Sequence, residues 1–413
     1  KSFRELGLKS SIVEALAGPV GWLRPSQIQG AVLRMLKDGT KKNIVAQAAF
    51  GSGKTGMFGL AMLNEVDEKL NALQCVCIAP ARELATQIYK EITNIAQMTG
   101  IRCFLAVRGC GKATKAQPPH IIIGTPGTIR GKLKKFRGKT EVESRSVKML
   151  VLDEADEMLK EGNLSAHTLD CAKQLPHGHR TILVSATFPE ETDSKGNPVE
   201  LDENEKRILR FMNQVARNPI VVRLVKKEDL SQLNVPKYHI ECKDVQDKLD
   251  FIPDLYDLQT NVGQSIVFCN TRRALPLVAK HLTDNSFDVS ILHGGLTESE
   301  RDNVVSEFKK GKTKMLIATD VIAKGFNVPE VSVVVNFDIP LTKDRRPNRE
   351  NYLHRVGRAG RFGRNGLAIN LIDPTQRGIL EAIEAPLKKK SQPLPRDDLD
   401  PLEKVLMHVK KKT

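Results

Sequence analysis

Large polar aromatics are scarce in this chain of 413 residues, which has one tryptophan, Trp22, and four tyrosines. A protein that holds nucleic acid by stacking bases on rings would have little to stack with, so any such partner is expected to be gripped by sugar and phosphate. Cysteine is sparse too: seven residues, an odd number without disulfide-like spacing, which excludes a fully paired disulfide framework. Cys75 and Cys77 stand two apart in the apolar run "LQCVCIAP", which is a strand pattern, and Cys-x-Cys alone is poor evidence for zinc. All seven read as reduced core or surface thiols, as in a cytosol-like compartment. No apolar stretch approaches the roughly 18 residues that a membrane span requires. The first residue is Lys1 rather than methionine, so upstream residues are allowed for and a missing targeting segment excludes nothing.

Positive charge is what the chain has in excess. Lysine and arginine total 64 against 49 acids, a net charge of +15. That suits a polyanion such as nucleic acid, although a basic surface also serves solubility. The 40% hydrophobic and 27% charged fractions are those of an ordinary globular chain, long enough for two or three domains.

Short apolar runs alternate with helix-like segments: "NIVAQ" at 43, "CVCIAP" at 75, "HIIIGTP" at 120, "KMLVLDEAD" at 148 and "TILVSAT" at 181. After a break come "SIVFCN" at 265, "VSILHGG" at 289, "KMLIATD" at 314, "VSVVVNFD" at 331 and "LAINLID" at 367. Continuous Val/Ile/Leu runs with polar carboxyl ends are the pattern of buried parallel strands, here an α/β architecture occurring twice. The charged "RLVKKEDLSQLNVPKYHIEC" between the series places an interdomain linker at 224–236, with domains over 1–223 and 237–413. The acidic segment 188–207 reads as a solvated loop entering a helix, residues 341–355 as a polar loop, and "HVKKKT" as a basic tail.

The chemistry begins at "AAFGSGKTG". Gly51 and Gly53 let the backbone turn tightly and aim N–H groups inward, Lys54 can reach outer phosphates, and the Thr55 hydroxyl can hold Mg²⁺. Ala48 stands where the general pattern has its first glycine. Asp153, Glu154 and Asp156 then crowd three carboxylates at one strand end, which repel unless a cation sits among them. Beside a phosphate loop, Asp153 is the acid to hold Mg²⁺ and Glu154 the base for an attacking water. Without that loop, the acids would read as a solvated cluster opening a surface helix.

"DEAD" after a strand, the cradle "AAFGSGKT" and "SAT" at 185–187 together resemble the DEAD-box ATP-dependent RNA helicases. The resemblance runs over nearly the whole chain, through "FRELGL" at 3, "RPSQIQ" at 24, "PARELATQ" at 80, "RGCG" at 108 and "TPGT" at 125. It continues with "VFCNTRR" at 267, "LHGGLTESERD" at 292, "ATDVIAKGFNVPEV" at 318 and "HRVGRAGR" at 354. It implies an α/β fold of two tandem RecA-like domains, each a mostly parallel sheet flanked by helices. Phe3 would stack on adenine and Gln29 hydrogen-bond its edge, while Ala49, Gly51, Ser52, Gly53, Lys54, Thr55 and Gly325 would surround ATP and its Mg²⁺. Asp156, Ser185, Thr187 and His354 would couple hydrolysis to unwinding. Single-stranded RNA would be held without sequence preference by Pro80, Arg82, Gly109, Thr125, Gly127, Thr271, Arg272, Gly294 and Thr319.

Arg355, Arg358 and Arg361 recur every three residues, as suits a turn or helix face. One reading is a basic solvated face or an RNA-phosphate patch; the sharper one makes Arg358 and Arg361 fingers on the γ-phosphate. Ala48-Ala49, "TPGT", the loop before "HRVGRAGR" and the ending "PRDDLDPLEKV" resemble the mRNA-export branch that works at the cytoplasmic face of the nuclear pore. That branch implies a monomer shared between cytoplasm and nucleus. Its usual partners are a pore-anchored activator, aided by inositol hexakisphosphate, and a pore filament protein. Four departures from the family pattern, Ala81, Glu298, Lys324 and Asn327, put its rate in question. An ATP-dependent RNA clamp that barely turns over, or a DNA-directed helicase of the wider superfamily, remain rival readings.

Overall fold

The structure is a computed structural model. It describes residues 2–40, 42–48, 52–114, 116–134, 140–159, 162–185, 188–189, 198, 201, 203–224, 235–259, 263–320, 331–342, 344–359, 366–385, 387 and 389–410. The chain forms two compact units, Lys1–Val225 and Lys226–Thr413.

Unit 1 contains β1 (Ile44–Gln47), β2 (Cys75–Ile78), β3 (Cys103–Ala106), β4 (Ile121–Gly124), β5 (Met149–Asp153), β6 (Arg180–Ser185) and β7 (Ile220–Arg223). They lie in the order β3-β4-β2-β5-β6-β1-β7, every pairing parallel. Unit 2 contains β8 (Lys237–Glu241), β9 (Ser265–Phe268), β10 (Val289–Leu292), β11 (Met315–Ala318), β12 (Val333–Asn336), β13 (Leu367–Ile372) and β14 (Gln392–Leu394). Their order is β10-β11-β9-β12-β13-β8-β14, again all parallel.

Helices cover both faces of each sheet, so a strand's alternate residues enter different cores. In β2, Cys75 and Cys77 pack into one cluster while Val76 and Ile78 pack into the other. The ten apolar runs read from the sequence are all strands. All seven thiols are free, and among the described residues no helix is long and apolar enough to cross a membrane. The acidic segment leads into the helix Glu203–Val215. Most of 188–202 and all of 225–234 lie outside the described residues.

Parallel strands bring every carboxyl end to the same rim, where ligands of open α/β sheets bind. Unit 1's order divides that rim. β5, β6 and β1 are neighbours and lead into the acids, "SAT" and the phosphate loop; β3, β4 and β2 are neighbours and lead into "RGCG", "TPGT" and "PARELATQ". In unit 2, β10, β11 and β9 likewise sit together and precede Gly294, Thr319 and Thr271.

The junction of β3 and β4 is tight. A β-carbon on Gly124 would lie 1.9 Å from the carbonyl oxygen of Ala106, so only glycine fits without moving a strand. Gly124→Ala should lower stability by about 1–3 kcal/mol and shift the thermal unfolding midpoint down; an unchanged midpoint would remove this constraint.

Candidate functional site

The phosphate loop leaves β1 and enters the helix Lys54–Glu65. Gly53 caps that helix in the left-handed region, at φ 90° and ψ 27°, which glycine adopts without steric cost. Lys54 and Thr55 open the helix, so free N–H groups and the positive end of the dipole face the loop. Lys54 Nζ donates to the Ala48 carbonyl at 2.8 Å, folding the ammonium back over the loop's start. Ser52 Oγ is buried without a hydrogen-bond partner among the described residues. Ala49 and Gly51 lie outside the described residues.

The segment expected to read the base is joined to this loop directly. Ser26 caps the helix Gln27–Lys37 in a capping box with Gln29, whose Oε1 accepts from the Ser26 N–H at 2.9 Å. Gln29 Nε2 donates to the Gly53 carbonyl at 3.2 Å. Phe3, only 4% exposed, is embedded in an apolar core and offers little face to a base. The half-buried aromatic next to Gln29 is Trp22: a β-carbon on Gly56 would come within 2.6 Å of its ring and 2.7 Å of Gln29 Nε2. Sequence reasoning passed over Trp22. Its place just before "RPSQIQ", as the chain's sole tryptophan, was the available signal.

At the end of β5, Asp153 is 4% exposed. Burial pushes its carboxyl up to about 6, opposed by the Lys54 charge and the Glu154 N–H and reinforced by nearby Asp156 and Glu91. Glu154 takes a left-handed backbone with φ 48°, a conformation costing a non-glycine residue about 1–3 kcal/mol and concentrated at functional sites. Asp156 Oδ1 accepts from Ser185 Oγ at 2.5 Å, tying the end of β5 to the end of β6. The three clustered acids therefore have different tasks: Asp156 is engaged with Ser185, while Asp153 is a buried charge set against Lys54. A buried carboxylate and the Thr55 hydroxyl, on the helix headed by Lys54, form a hard-oxygen donor set that suits Mg²⁺.

The nucleic-acid candidates occupy the other part of the rim. Pro80 and Arg82 follow β2, Gly109 follows β3, and Thr125 and Gly127 follow β4. Arg82 Nη1 donates to the Arg108 carbonyl at 2.8 Å, so this arginine braces the neighbouring loop. In unit 2, Thr271 and Arg272 follow β9, Gly294 follows β10 and Thr319 follows β11. The Thr319 hydroxyl is buried without a partner among the described residues. Arg272 lies beside Gly295, its Nη1 3.1 Å from where a β-carbon would be.

Arg355 and Arg358 do not form a solvated face. Arg355, in the helix Arg349–Val356, is 0% exposed, and Arg358, two residues beyond its end, is 6% exposed. Arg355 Nε donates to Asp320 at 2.5 Å, Nη1 to the Asp338 carbonyl at 2.7 Å and Nη2 to Asn270 at 2.9 Å. Asn270 precedes Thr271 and Asp320 follows Thr319, so Arg355 fastens the arginine helix to two of unit 2's three RNA-candidate loops. His354 is buried, its Nε2 3.8 Å from Glu350. Thr187, Gly325 and Arg361, with Lys324 and Asn327, lie outside the described residues.

Two family profiles match this chain: DEAD/DEAH box helicase over residues 26–194, and helicase conserved C-terminal domain over residues 247–363. The ATP-dependent RNA helicase DBP5 of Yarrowia lipolytica is 33% identical over 98% of this chain and 78% of its own length. The ATP-dependent RNA helicase eIF4A of the same yeast is 36% identical over 93% of this chain and 90% of its own length. Among solved structures, S. cerevisiae Dbp5 bound to RNA and ADP BeF3 is 32% identical with a TM-score of 0.86, covering 99% of both chains. A variant of the same protein bound to Nup159, a Gle1 variant, IP6 and ADP is 31% identical with a TM-score of 0.69, covering 98% of this chain and 100% of that one.

The raised Asp153 carboxyl has a measurable consequence. With a folded value near 6 against an ordinary 3.8, the stability it lends is full below pH 3.8 and lost as pH rises through 6. Without Mg²⁺ and nucleotide, Asp153→Asn should therefore stabilise unit 1 at pH 7.5 by about 3 kcal/mol and by far less at pH 4. Thermal midpoints of both proteins at the two pH values check this; an equal effect at each would remove the buried charge as its cause.

Proposed function

The chain belongs to the DEAD-box family of ATP-dependent RNA helicases, and from that premise we propose how its residues divide the work. Lys54, Ser52 and the N–H groups heading the helix Lys54–Glu65 receive the phosphates of ATP. Gln29 reads the adenine edge while holding the Gly53 carbonyl, and Trp22 or Phe3 supplies the ring that covers the base. Thr55 and Asp153 hold Mg²⁺, which when bound offsets the charge gathering on the transferred phosphoryl group. Glu154 orients the attacking water and takes its proton. Arg358 and Arg361, carried by unit 2, meet the terminal phosphate as fingers, while Ser185–Asp156, Thr187 and His354 couple that event to the RNA.

RNA is held by backbone N–H groups and hydroxyls around Gly109, Thr125, Gly127, Thr271, Gly294 and Thr319, with Arg82 and Arg272 beside them. Contacts of this kind fix position without reading bases, and the 2′-hydroxyl favours RNA over DNA. ATP and RNA each favour the same arrangement of the two units, so each strengthens the other's binding. A strand bent to fit both rims no longer matches a duplex, and hydrolysis releases it. The observation that carries this reading is the buried Asp153 charge set against Lys54 at the head of a phosphate-binding helix.

The likeness to Dbp5 over nearly the full length of both chains supports a role in mRNA export at the nuclear pore. The partners would be a Gle1-like activator with inositol hexakisphosphate and a Nup159-like filament protein. Phosphate release with ATP or GTP, with and without single-stranded RNA or DNA, tests the core of the proposal. Equal stimulation by DNA and RNA would overturn the RNA assignment, and negligible turnover under all conditions would favour the clamp.

Glu154→Gln should keep ATP-dependent RNA binding and lose turnover by about 100-fold or more; loss of both would take Glu154 out of the base role. Arg358→Ala should cut kcat by about 10³-fold or more in RNA-saturated assays. A change confined to RNA affinity would place Arg358 on the nucleic acid instead.

A further inference from the structure

The helix Pro126–Leu133, which begins at the "TPGT" segment, buries Pro126, Ile129, Lys132 and Leu133. These positions form one face at helical spacing, where an apolar side chain is expected at each. Lys132 breaks the pattern. Its residue is 6% exposed, and burying an ammonium is costly unless its donors are satisfied.

Acceptors come from two segments, the loop after β3 and the stretch that follows the helix itself. Lys132 Nζ donates to Glu141 Oε1 at 2.7 Å and to the Gly111 carbonyl at 3.1 Å, and lies 4.9 Å from the centre of the Phe104 ring. The same Glu141 oxygen accepts the Ala113 N–H at 2.8 Å. Gly111 and Ala113 form the far leg of the loop that carries Arg108 and Gly109. The near leg is held where Arg82 donates to the Arg108 carbonyl at 2.8 Å. Arg108, Gly109, Gly111 and Lys112 are exposed between these anchors. The loop is pinned at both ends, with those residues exposed between them.

We propose that Lys132 is a positioning residue for RNA: paired with Glu141, it presets the loop 108–113 against the helix that follows Thr125. Two phosphate-contacting segments, "RGCG" and "TPGT", then meet one strand at a fixed spacing. The lysine itself touches no RNA, since its side chain is 8% exposed. The inference rests on the reading of Gly109, Thr125 and Gly127 as RNA contacts.

The test is RNA-stimulated ATP turnover by the full chain carrying Lys132→Met or Glu141→Gln, titrated with single-stranded RNA at several salt concentrations. The RNA concentration for half-maximal stimulation should rise about tenfold as the contact geometry loosens, with kcat at saturating RNA unchanged. The dependence of log affinity on log salt should keep its slope, because no phosphate contact is removed. The double variant should be no worse than the more impaired single one. A slope shallower by about 0.7 would mean that Lys132 binds a phosphate directly, overturning the proposal. So would an unchanged half-saturation point alongside a lower thermal midpoint, which would leave the pair a purely structural role. If the parent protein itself shows no RNA dependence, the failure belongs to the functional reading and not to Lys132.

Discussion

A carboxylate withdrawn from water at the end of a parallel strand is the constraint on which unit 1 depends. Asp153 is almost cut off from water where β5 delivers it, and its charge is eased by Lys54 brought opposite and by the Glu154 N–H. The opposition follows from topology. β5 and β1 flank β6, so the loops leaving their carboxyl ends share a stretch of rim, and the helix dipole beyond the glycine turn adds positive potential there. Such a site suits the phosphates of a nucleotide, and the proposed Mg²⁺ would offset the carboxylate charge there.

Most of the strands that could be read from the sequence are buried on both faces; β10, a partly buried edge strand, is the exception. β1, β2, β4, β5 and β6 are continuous apolar runs because helices cover both sides. The strands that escaped notice are β3, β7 and β14 at sheet edges, and β8 beside β14. β7 alternates between buried and exposed residues, and β14 contains Pro393 with mostly exposed side chains. Edge strands tolerate proline and polar residues because one row of their backbone groups needs no partner. β8, "KYHIE", lies between β13 and the edge strand β14, is only partly buried, and stands just past the linker in a charged stretch without a long apolar run.

The structure groups the candidates that the sequence picks out by residue type at a fixed offset, as at Gly53, Lys54, Asp153 and Glu154. Candidates are less legible in the sequence where a side chain serves the fold and the site together. Arg355 belongs to a series whose spacing fits a solvated face, yet its guanidinium makes four hydrogen bonds, to Asp320, Asn336, Asp338 and Asn270, inside unit 2. Gln29 was assigned to a base edge, but it also closes a capping box and carries the phosphate loop. The surroundings of Trp22 and Lys132 come from other elements, Gly56 for one and Gly111 with Glu141 for the other. Periodicity cannot supply such contacts.

Parallel strands also give each sheet a second rim, at their amino ends, to which none of the assigned residues belongs. In unit 2 the turn Asn285–Asp288 enters β10 from that side, with Asn285, Ser286 and Asp288 exposed and Ser286 at φ 65°. Because the strands keep the two rims a full strand length apart, a fluorophore or surface tether attached at Asn285 would report on unit 2 from behind. The molecule can thus be instrumented on one side while the other stays free to work.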